Sequence, residues 1–246
     1  MAVTKEWITK TTLGARFTHP WILLRKINGE KPDRTMSRTG LLACVFAIIG
    51  TIAMAQESKT QDELKLVIDT IRAYERERYR GDMSVPRADG ELLRRLVEEN
   101  DVRHAVEIGT FRGYSGLWLG LGLLRTGGRL TTFEINSNYA AEARARFERA
   151  GLADTITVVV GDAQVEIAGV QGPIDLLFLD ANPYGYIGYL EQLLPELRIG
   201  GLVVTHNVKS PRPDPAFIRA ITTNPDLETR FVHMDGSGIA ITRKLR

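Results

Sequence analysis

The sequence predicts an α/β fold, a doubly wound and mostly parallel sheet of seven strands that ends in an antiparallel hairpin. Strand-like and helix-like segments alternate from residue 104 onward, and the alternation breaks only near the C-terminus. The strand-like segments are largely apolar. Apolar strands separated by helices are typical of a parallel sheet that helices cover on both faces.

Five segments are predicted as parallel strands, with helices between them. The strands are residues 104–108, 130–134, 155–160, 174–179 and 202–206. The helices are residues 114–125, 137–149, a short turn near 163–169, and 186–197. Ahead of them, apolar residues at helical spacing predict helices at 61–79 and Gly90–Glu99.

The C-terminal segment predicts a helix at 214–222 followed by strands at 228–233 and 238–243. The turn between these strands contains Asp235, Gly236 and Ser237, a composition typical of a hairpin. No linker composition interrupts residues 56–246, so we predict one domain there.

A leader is predicted over residues 1–55. Residues 40–55 carry no charged side chain and end in Ala53-Met54-Ala55. Basic residues precede them at Lys31, Arg34 and Arg38. This pattern predicts a signal peptide cleaved before Gln56, with an uncleaved membrane anchor and an incidental apolar segment as alternatives. The domain is expected to be exported or membrane-anchored if the leader functions, and cytoplasmic otherwise.

Charge and cysteine content exclude several classes of protein. Residues 1–55 carry 8 Lys or Arg and 3 Asp or Glu, whereas residues 56–246 carry 24 and 27. A mildly acidic domain offers no surface for a polyanion, so we expect no nucleic-acid partner. The single cysteine, Cys44, lies in the leader, which excludes a disulfide framework or a cysteine metal cluster in the domain.

The strongest local motif joins the first strand to the next helix. It reads AVEIGTFRGYS from Ala105 to Ser115. Gly109 allows a sharp turn close to a ligand, and the following helix N-terminus offers N–H groups. Phe111 stands where a dinucleotide fingerprint has its second glycine, so the motif favours a cofactor without a diphosphate over a nicotinamide.

Acidic residues occupy the carboxyl-terminal part of the first four predicted strands or follow them directly. They are Glu107, Glu134, Asp162 and Asp180. Because the carboxyl ends of parallel strands share one edge, these side chains are expected to face one crevice, where Glu134 is placed to bind a ribose diol. A helix-capping role for Asp162 is an equal alternative.

Further short motifs follow in order along the chain. Together they are Met83-Ser84, Glu107–Ser115, Glu134-Ile135-Asn136, Ala150-Gly151-Leu152, Gly161-Asp162-Ala163, Ile174–Asp180 and Gly200-Gly201. With this set, residues 61–246 resemble the S-adenosylmethionine-dependent O-methyltransferases of the catechol O-methyltransferase-like type, including their caffeoyl-CoA-related bacterial members. The resemblance implies a class I, Rossmann-like methyltransferase fold, S-adenosylmethionine as cofactor and a homodimer.

The resemblance also implies roles for individual residues. The methionine part of the cofactor and the turn would be held by Glu107, Gly109, Phe111, Gly113 and Ser115. Glu134 would bind the ribose, Ala163 and Gln164 would flank the adenine, and Met83 and Val85 would cover the site. Asp180 would lie beside the sulfonium and bind a metal.

Two positions depart from the family pattern. The family holds a divalent cation with three oxygen ligands; Asp180 and Asn207 match two of them, but His206 replaces the usual aspartate. An imidazole suits Mg²⁺ poorly, so this set favours Mn, Fe, Zn or no metal. The lysine that the family uses as a general base is Pro183 here. His206 is a candidate replacement, with a strand-ending hydrogen bond as an equal alternative.

The sequence thus predicts a methyltransferase that transfers a methyl group from S-adenosylmethionine to a hydroxyl of a small, aromatic acceptor, with Asp180 and His206 as catalytic residues. The altered ligand set and the missing lysine motivate an alternative, a non-catalytic ligand-binding domain on a methyltransferase-like scaffold. Membrane association is expected only through residues 40–55.

Overall fold

The structure is a computed structural model that describes residues 50–51, 61–209, 214–234 and 236–246. The chain divides into two units, Met1–Gln56 and Glu57–Arg246. The predicted leader lies outside the described residues except for residues 50–51, and so does Asp235 of the predicted hairpin turn. The leader and the domain boundary after residue 55 therefore stay predictions. Among the described helices, none has the length and apolar character needed to cross a membrane.

Within the described part of the second unit, one seven-stranded sheet forms the centre. Its strands are β1 (His104–Ile108), β2 (Arg129–Glu134), β3 (Ile156–Val160), β4 (Ile174–Leu179), β5 (Leu197–His206), β6 (Leu227–Val232) and β7 (Ile239–Lys244). Their spatial order is β3-β2-β1-β4-β5-β7-β6. Strands β1 to β5 pair in parallel, and β7 pairs antiparallel with β5 and β6. The predicted fold class is confirmed.

Helices pack on both faces of this sheet. They are α1 (61–77), α2 (Arg87–Glu99), α3 (Tyr114–Thr126), α4 (Ser137–Arg149), α5 (Ala163–Glu166), α6 (Tyr186–Leu193) and α7 (Pro215–Thr223). Short 3₁₀ turns lie at Ile167–Gly169 and Pro183–Gly185. Apolar residues of α1 to α4 form one core with the sheet, and those of α5 to α7 form the other.

Side chains of the central strands alternate between these two cores. In β4, Leu176 and Phe178 belong to the first core, whereas Leu177 and Leu179 belong to the second. All five residues of β1 are buried for the same reason. A parallel strand covered on both faces has no solvent side, which explains why these segments are apolar without polar alternation.

Three elements differ from their predicted bounds by three residues or more. Helix α2 begins at Arg87, three residues before the predicted start, because Pro86 precedes it with a φ of −57° that suits a helix entry. Strand β5 begins at Leu197 instead of residue 202, and the predicted helix before it ends at Leu193. Residues 198–200 near the start of β5 are partly or fully solvent-accessible, and the pairing with β4 shifts register there, so this segment lacks the apolar pattern of a buried strand.

Asp175 connects the starts of three strands. Its carboxylate accepts hydrogen bonds from the backbone N–H groups of Arg103 and His104, each at 2.8 Å. It also accepts a hydrogen bond from the Arg198 guanidinium. Burial raises the pKa of Asp175, but these donors outweigh it and hold the pKa below its ordinary value. The amino ends of β1, β4 and β5 are thereby fixed to one another, opposite the edge that carries the acidic residues.

Candidate functional site

A cavity of about 690 Å³ opens at the carboxyl ends of β1, β2 and β4. Strand β1 lies between β2 and β4, where the winding of the sheet reverses, and such sheets bind ligands at this point. Nine predicted site residues line it: Met83, Val85, Gly109, Phe111, Ser115, Glu134, Ala163, Asp180 and Asn207. The other four, Glu107, Gly113, Gln164 and His206, lie outside its lining.

The glycine turn after β1 brings backbone to the edge of the cavity. Gly109 has a φ of +104°, and a Cβ there would lie 2.3 Å from the carbonyl oxygen of Asp180. Phe111 also has a positive φ, 46°. Its N–H donates to Glu134 Oε2 at 2.7 Å. A side chain at the end of β2 therefore holds the turn at the end of β1 in a conformation that few residues adopt.

The N-terminus of α3 also lies at this turn. Gly113 precedes the helix with a left-handed conformation, and no side chain caps the helix among the described residues. A Cβ at Gly113 would lie 2.9 Å from Phe147 Cζ, so the position requires glycine for packing as well as for conformation. The first N–H groups of α3 are consequently left to bind a ligand or solvent.

Both carboxylate oxygens of Glu134 accept hydrogen bonds from backbone N–H groups, and the residue also lines the cavity. Oε1 accepts a hydrogen bond from the Asn136 N–H at 2.8 Å, while Oε2 binds the Phe111 N–H. Each carboxylate oxygen has a second lone pair, so the side chain can also accept hydrogen bonds from ligand hydroxyls. The ribose contact predicted for Glu134 has the acceptors that it needs.

Glu107 lies beneath the turn and is fully buried. Its two oxygens accept hydrogen bonds from Ser115 Oγ at 2.5 Å and Thr132 Oγ1 at 2.6 Å. Burial raises the pKa of Glu107 to about 7, although these hydrogen bonds lower it, and the nearby carboxylates of Asp180 and Glu134 raise it further. Glu107 thus acts on the cavity through Ser115, which is part of the wall.

The far end of the cavity is formed around α5. Asp162 accepts a hydrogen bond from the Gln164 N–H at 2.9 Å, so it caps this helix, and it also lines the cavity. Both alternatives weighed for Asp162 are compatible with this position. Ala163 lines the cavity, whereas the Gln164 side chain donates to the Gly185 carbonyl at 3.3 Å outside it.

The segment 83–85 forms a wall that α1 and the residue after it hold in place. The Arg78 guanidinium donates to the carbonyls of Ser84 at 2.7 Å and Val85 at 3.2 Å. The Tyr74 hydroxyl lies 2.5 Å from Ser84 Oγ. Met83 is 68% exposed at the rim, whereas Val85 is buried. Helix α1, which precedes the alternating strands and helices, therefore helps to hold one wall of the cavity in place.

Several residues of this region are not predicted from the sequence, among them Tyr139 and Asp89. Tyr139 lines the cavity and packs edge-on against Phe111, with ring centroids 4.6 Å apart. It lies three residues after Asn136, whose side chain caps α4, and this helix-start signal places Tyr139 in the first turn beside the cavity. Asp89 is another of them. It lies in α2, after the Met83-Ser84 motif but outside it, and no local pattern marks it.

His206 lies between two carboxylates at the end of β5. Its Nδ1 is 2.9 Å from Asp180 Oδ1, and its Nε2 is 3.2 Å from Asp89 Oδ2 in an ion-pair contact. We call Asp180, His206 and Asp89 the acid–imidazole bridge. Asp89 Oδ1 also lies 2.5 Å from His233 Nδ1, which connects the bridge to a partly exposed imidazole.

The pKa values of the bridge follow from burial and from these contacts. Burial lowers the pKa of His206, but the two carboxylates outweigh it and raise the pKa to about 9. Burial raises the pKa of Asp89, yet His206 and His233 hold it below its ordinary value. For Asp180, burial raises the pKa by more than the hydrogen bond with His206 lowers it, so the pKa lies above its ordinary value.

The predicted metal ligands Asp180, His206 and Asn207 lie together, and Asp180 Oδ1 is 2.9 Å from His206 Nδ1. The metal site formed by these three residues stays a prediction. Asp180 Oδ1 also accepts a hydrogen bond from Asn207 Nδ2 at 3.1 Å. In the part of the chain that the structure describes, no three His, Cys, Asp or Glu side chains are grouped to hold a metal ion.

Comparison with known proteins agrees with this architecture. The O-methyltransferase family matches residues 56–210. A catechol O-methyltransferase of Mycobacterium tuberculosis is 36% identical over 129 residues, which cover 51% of this chain and 57% of that protein. A catechol O-methyltransferase of Niastella koreensis is 34% identical over 131 residues, covering 51% and 58%. The match therefore spans less than two thirds of the length of these relatives.

Solved structures share the fold over most of their length. The O-methyltransferase from Bacillus cereus, in complex with S-adenosylhomocysteine, superposes with a TM-score of 0.61 at 27% identity, covering 74% of this chain and 90% of that one. The O-methyltransferase TomG from Streptomyces achromogenes, in complex with S-adenosylmethionine, has the same TM-score and identity, covering 75% and 90%.

The strand order, the glycine turn and the cavity at the reversal point define a doubly wound domain of the class I methyltransferase type. Within that class, the chain belongs to the O-methyltransferase family.

Proposed function

We propose that this protein is an S-adenosylmethionine-dependent O-methyltransferase that acts on a hydroxyl of a small, aromatic acceptor. The observation that carries the proposal is the cavity at the reversal point of the sheet, which joins the glycine turn, Glu134 and Asp180 in one wall. Family membership and the cofactor complexes of the related O-methyltransferases support it.

The residues present fit S-adenosylmethionine. The close approach of Gly109 to the Asp180 carbonyl leaves the turn without a side chain, so a ligand can lie against the backbone. Ser115 and the N-terminus of α3 would hold the methionine part, with Glu107 orienting Ser115 from below. Glu134 would accept from the ribose hydroxyls, and Ala163 would contact the adenine.

The acceptor would lie toward the wall formed by Met83, Pro183, Tyr189 and Asn207. Apolar and aromatic surfaces dominate there, with an amide at one side, which suits a small aromatic ring with polar substituents. Pro183 occupies the position of the lysine base in the family pattern, so this chain has no amine there.

When bound, S-adenosylmethionine supplies an electrophilic methyl group, which forms a bond to the acceptor oxygen as the sulfur keeps the electron pair of the broken C–S bond. We assign the displaced hydroxyl proton to Asp180. Its Oδ1 is engaged by His206 and Asn207, whereas Oδ2 has no hydrogen-bond partner among the described residues. His206 does not line the cavity and would act on the acceptor only through Asp180. The general-base role predicted for His206 stays a prediction.

Isothermal titration of the full chain with S-adenosylmethionine tests cofactor binding, and a radiolabelled methyl-transfer assay over a panel of catechols tests transfer. We expect saturable binding that Glu134→Gln weakens by about tenfold or more, because one charge-assisted acceptor is lost. Glu148→Gln, at an exposed position of α4, is the matched control and should bind like the wild type. Absence of binding by the wild type would overturn the proposal.

A non-catalytic binding domain is the second candidate function, and the specific observation in its favour is Pro183 at the lysine position. The same pair of measurements separates the two. Saturable binding without methyl transfer to any catechol, phenol or hydroxycinnamate of the panel would establish the binding domain in place of the enzyme.

We also propose that residues 1–55 act as a leader for this domain, with export or anchoring as the consequence. The support is the uncharged stretch at 40–55, the basic residues before it and the small-residue triplet at its end. A homodimer is proposed from the family resemblance alone, and sedimentation of the full chain tests it.

A further inference from the structure

We propose that Arg112 is a positioning residue, whose guanidinium couples the glycine turn at residues 109–113 to the wall at 83–85 through the buried carboxylate of Asp82. The turn and the wall border the same cavity, whereas Arg112 and Asp82 lie outside its lining. The effect on cofactor binding rests on the proposed O-methyltransferase function. The coupling between turn and wall does not, since it concerns contacts of the ligand-free protein.

The backbone holds Arg112 firmly within the turn. The residues on either side have positive φ values, 46° at Phe111 and 87° at Gly113. The Arg112 carbonyl accepts a hydrogen bond from Nη1 of Arg146, a residue of α4, at 3.2 Å. Because few residues adopt such φ values, the backbone here has few alternative conformations. A force on the Arg112 side chain is therefore passed to the turn.

The guanidinium of Arg112 lies between two carboxylates. Its Nε donates to Glu142 Oε2 at 2.7 Å, and its Nη1 lies 3.7 Å from Asp82 Oδ2. The Tyr74 and Tyr79 rings are each 5.7 Å from its central carbon, measured to the ring centroid. The Arg112 side chain is only 17% exposed, so solvent screens these charges less than it screens a surface pair. With Nε fixed on α4, the planar fork turns its other N–H groups toward Asp82.

Asp82 carries the contact from Arg112 to the wall. Its side chain is 2% exposed. Oδ1 accepts a hydrogen bond from the Ser84 N–H at 2.9 Å, and Oδ2 accepts one from the Tyr74 hydroxyl at 3.2 Å. A carboxylate at this depth needs a positive charge close by, which Arg112 supplies together with Arg78, whose Nε is 3.5 Å from Oδ1. Arg78 precedes the wall directly in the chain, so Arg112 is the partner that connects Asp82 to the turn.

The coupling matters for a ligand that touches both walls of the cavity. Ser84 and Val85 line one side, and Phe111 and Ser115 line the side that the turn forms. Holding both sides in place before binding reduces the ordering that binding would otherwise require. Loss of the contact between Arg112 and Asp82 is therefore expected to weaken cofactor binding, although neither residue touches the cofactor.

Hydrogen–deuterium exchange of the full-length, ligand-free protein tests the coupling in both directions. Arg112→Met should raise the exchange rate at residues 82–85 by about fivefold or more, and Asp82→Asn should do the same at residues 110–113. Arg149→Met, at an exposed position of α4, is the matched control and should leave both segments unchanged. Wild-type exchange at 82–85 in Arg112→Met would overturn the inference.

Calorimetric titration with S-adenosylhomocysteine tests the effect on binding. Arg112→Met and Asp82→Asn should each raise the Kd by about fivefold or more, and the double variant should be no weaker than the weaker single variant. Arg112→Lys keeps the charge and should recover part of the loss, which a purely steric role would not predict. If the two effects multiply in the double variant, the residues act independently and the inference is wrong.

Failure of this inference can be told apart from failure of the proposed function. Absence of S-adenosylhomocysteine binding by the wild type would count against the proposed function, and the exchange measurement would still decide the coupling because it uses no ligand. If Arg112→Met does not fold, as judged by circular dichroism, Asp82→Asn and Arg112→Lys report on the same contact. Unchanged exchange at 110–113 in a folded Asp82→Asn variant would then overturn the inference.

Discussion

Glu107 is a carboxyl group that the folded protein keeps at a cost in stability. Its pKa rises from 4.5 to about 7, so the folded state binds its proton more tightly than the unfolded state does. The sign follows from linkage: the cost is absent below about pH 4.5, grows as the pH rises toward 7, and is fully present above that. A buried charge next to a ligand turn is tolerated where binding requires it.

We expect Glu107→Gln to stabilise the ligand-free protein at pH 8 by an amount on the order of 3 kcal/mol, from the size of this pKa shift. The amide can still accept from Ser115 and donate to Thr132. Denaturant unfolding at pH 8 and at pH 5 measures the difference, which should shrink at the lower pH. The same variant should bind S-adenosylmethionine more weakly. Equal stability of the two proteins at pH 8 would contradict the pKa assigned to Glu107.

A substitution at Gly109 tests whether the turn after β1 requires glycine. Because its φ is +104° and a Cβ would lie 2.3 Å from the Asp180 carbonyl, Gly109→Ala must displace either the turn or β4. We expect a loss of more than about 2 kcal/mol in the free energy of unfolding, together with loss of cofactor binding. Gly169→Ala is the matched control, since a Cβ there has nothing within 4 Å and its φ is ordinary. Similar effects of the two substitutions would refute the steric argument.

At the scale of elements, the ordering of the sheet depends on polar contacts as well as on apolar packing. Asp175 binds the first backbone groups of β1 and the guanidinium at the start of β5. These contacts set where the strands begin, and the pairing of Ala105 with Leu176 and of Leu176 with Leu202 follows from there. The carboxyl ends of β1 and β4 consequently meet at the cavity.

Asp175→Ala should lower the free energy of unfolding at pH 7 by about 3 kcal/mol, because two backbone donors and Arg198 lose their acceptor. Since the pKa of Asp175 is lowered in the folded state, this contribution is present at neutral pH and is lost as the pH falls through the folded-state pKa. Urea titrations across that range, with the exposed Asp154→Ala as control, check both statements. A difference that stays constant down to pH 2 would exclude the electrostatic origin.

The elements also show where sequence reasoning is sufficient and where it is not. Buried parallel strands such as β1 and β4 are mostly apolar, so the sequence identifies them with correct bounds. The start of β5 was missed because residues 198–200 are accessible at least in part and carry no such pattern. The turn, Glu134 and Asp180 could be predicted because each follows a strand directly. Asp89 could not, because its role depends on α2 packing near the end of β5, and that packing is not encoded locally.

At the scale of the whole molecule, the described domain lies within residues 61–246, and the leader predicted before it would determine where the domain works. The proposed cofactor and the predicted leader conflict, because S-adenosylmethionine is made in the cytosol whereas a signal peptide directs export. The N-terminus of the mature protein shows whether the leader has been removed.

We expect the protein isolated from its native cell to begin at Gln56, because the small residues at positions 53 and 55 fit the site that signal peptidases cleave. Mass spectrometry of the intact protein and of its N-terminal peptide measures this directly. Substituting Ala55 with a bulky residue such as Phe should leave the leader attached, while the same change at Ala53 serves as the parallel test. An intact leader on the wild-type protein would show that residues 40–55 are retained.

The contacts of Arg78 with the backbone at Ser84 and Val85 have a consequence for such processing. Helix α1 stabilises the wall that closes the cavity, so the chain cannot be shortened past its first turns without loosening the place where the cofactor would lie. Trimming by a nonspecific protease beyond the first turns of α1 is therefore expected to weaken cofactor binding, whereas a cut upstream of residue 61 leaves α1 intact.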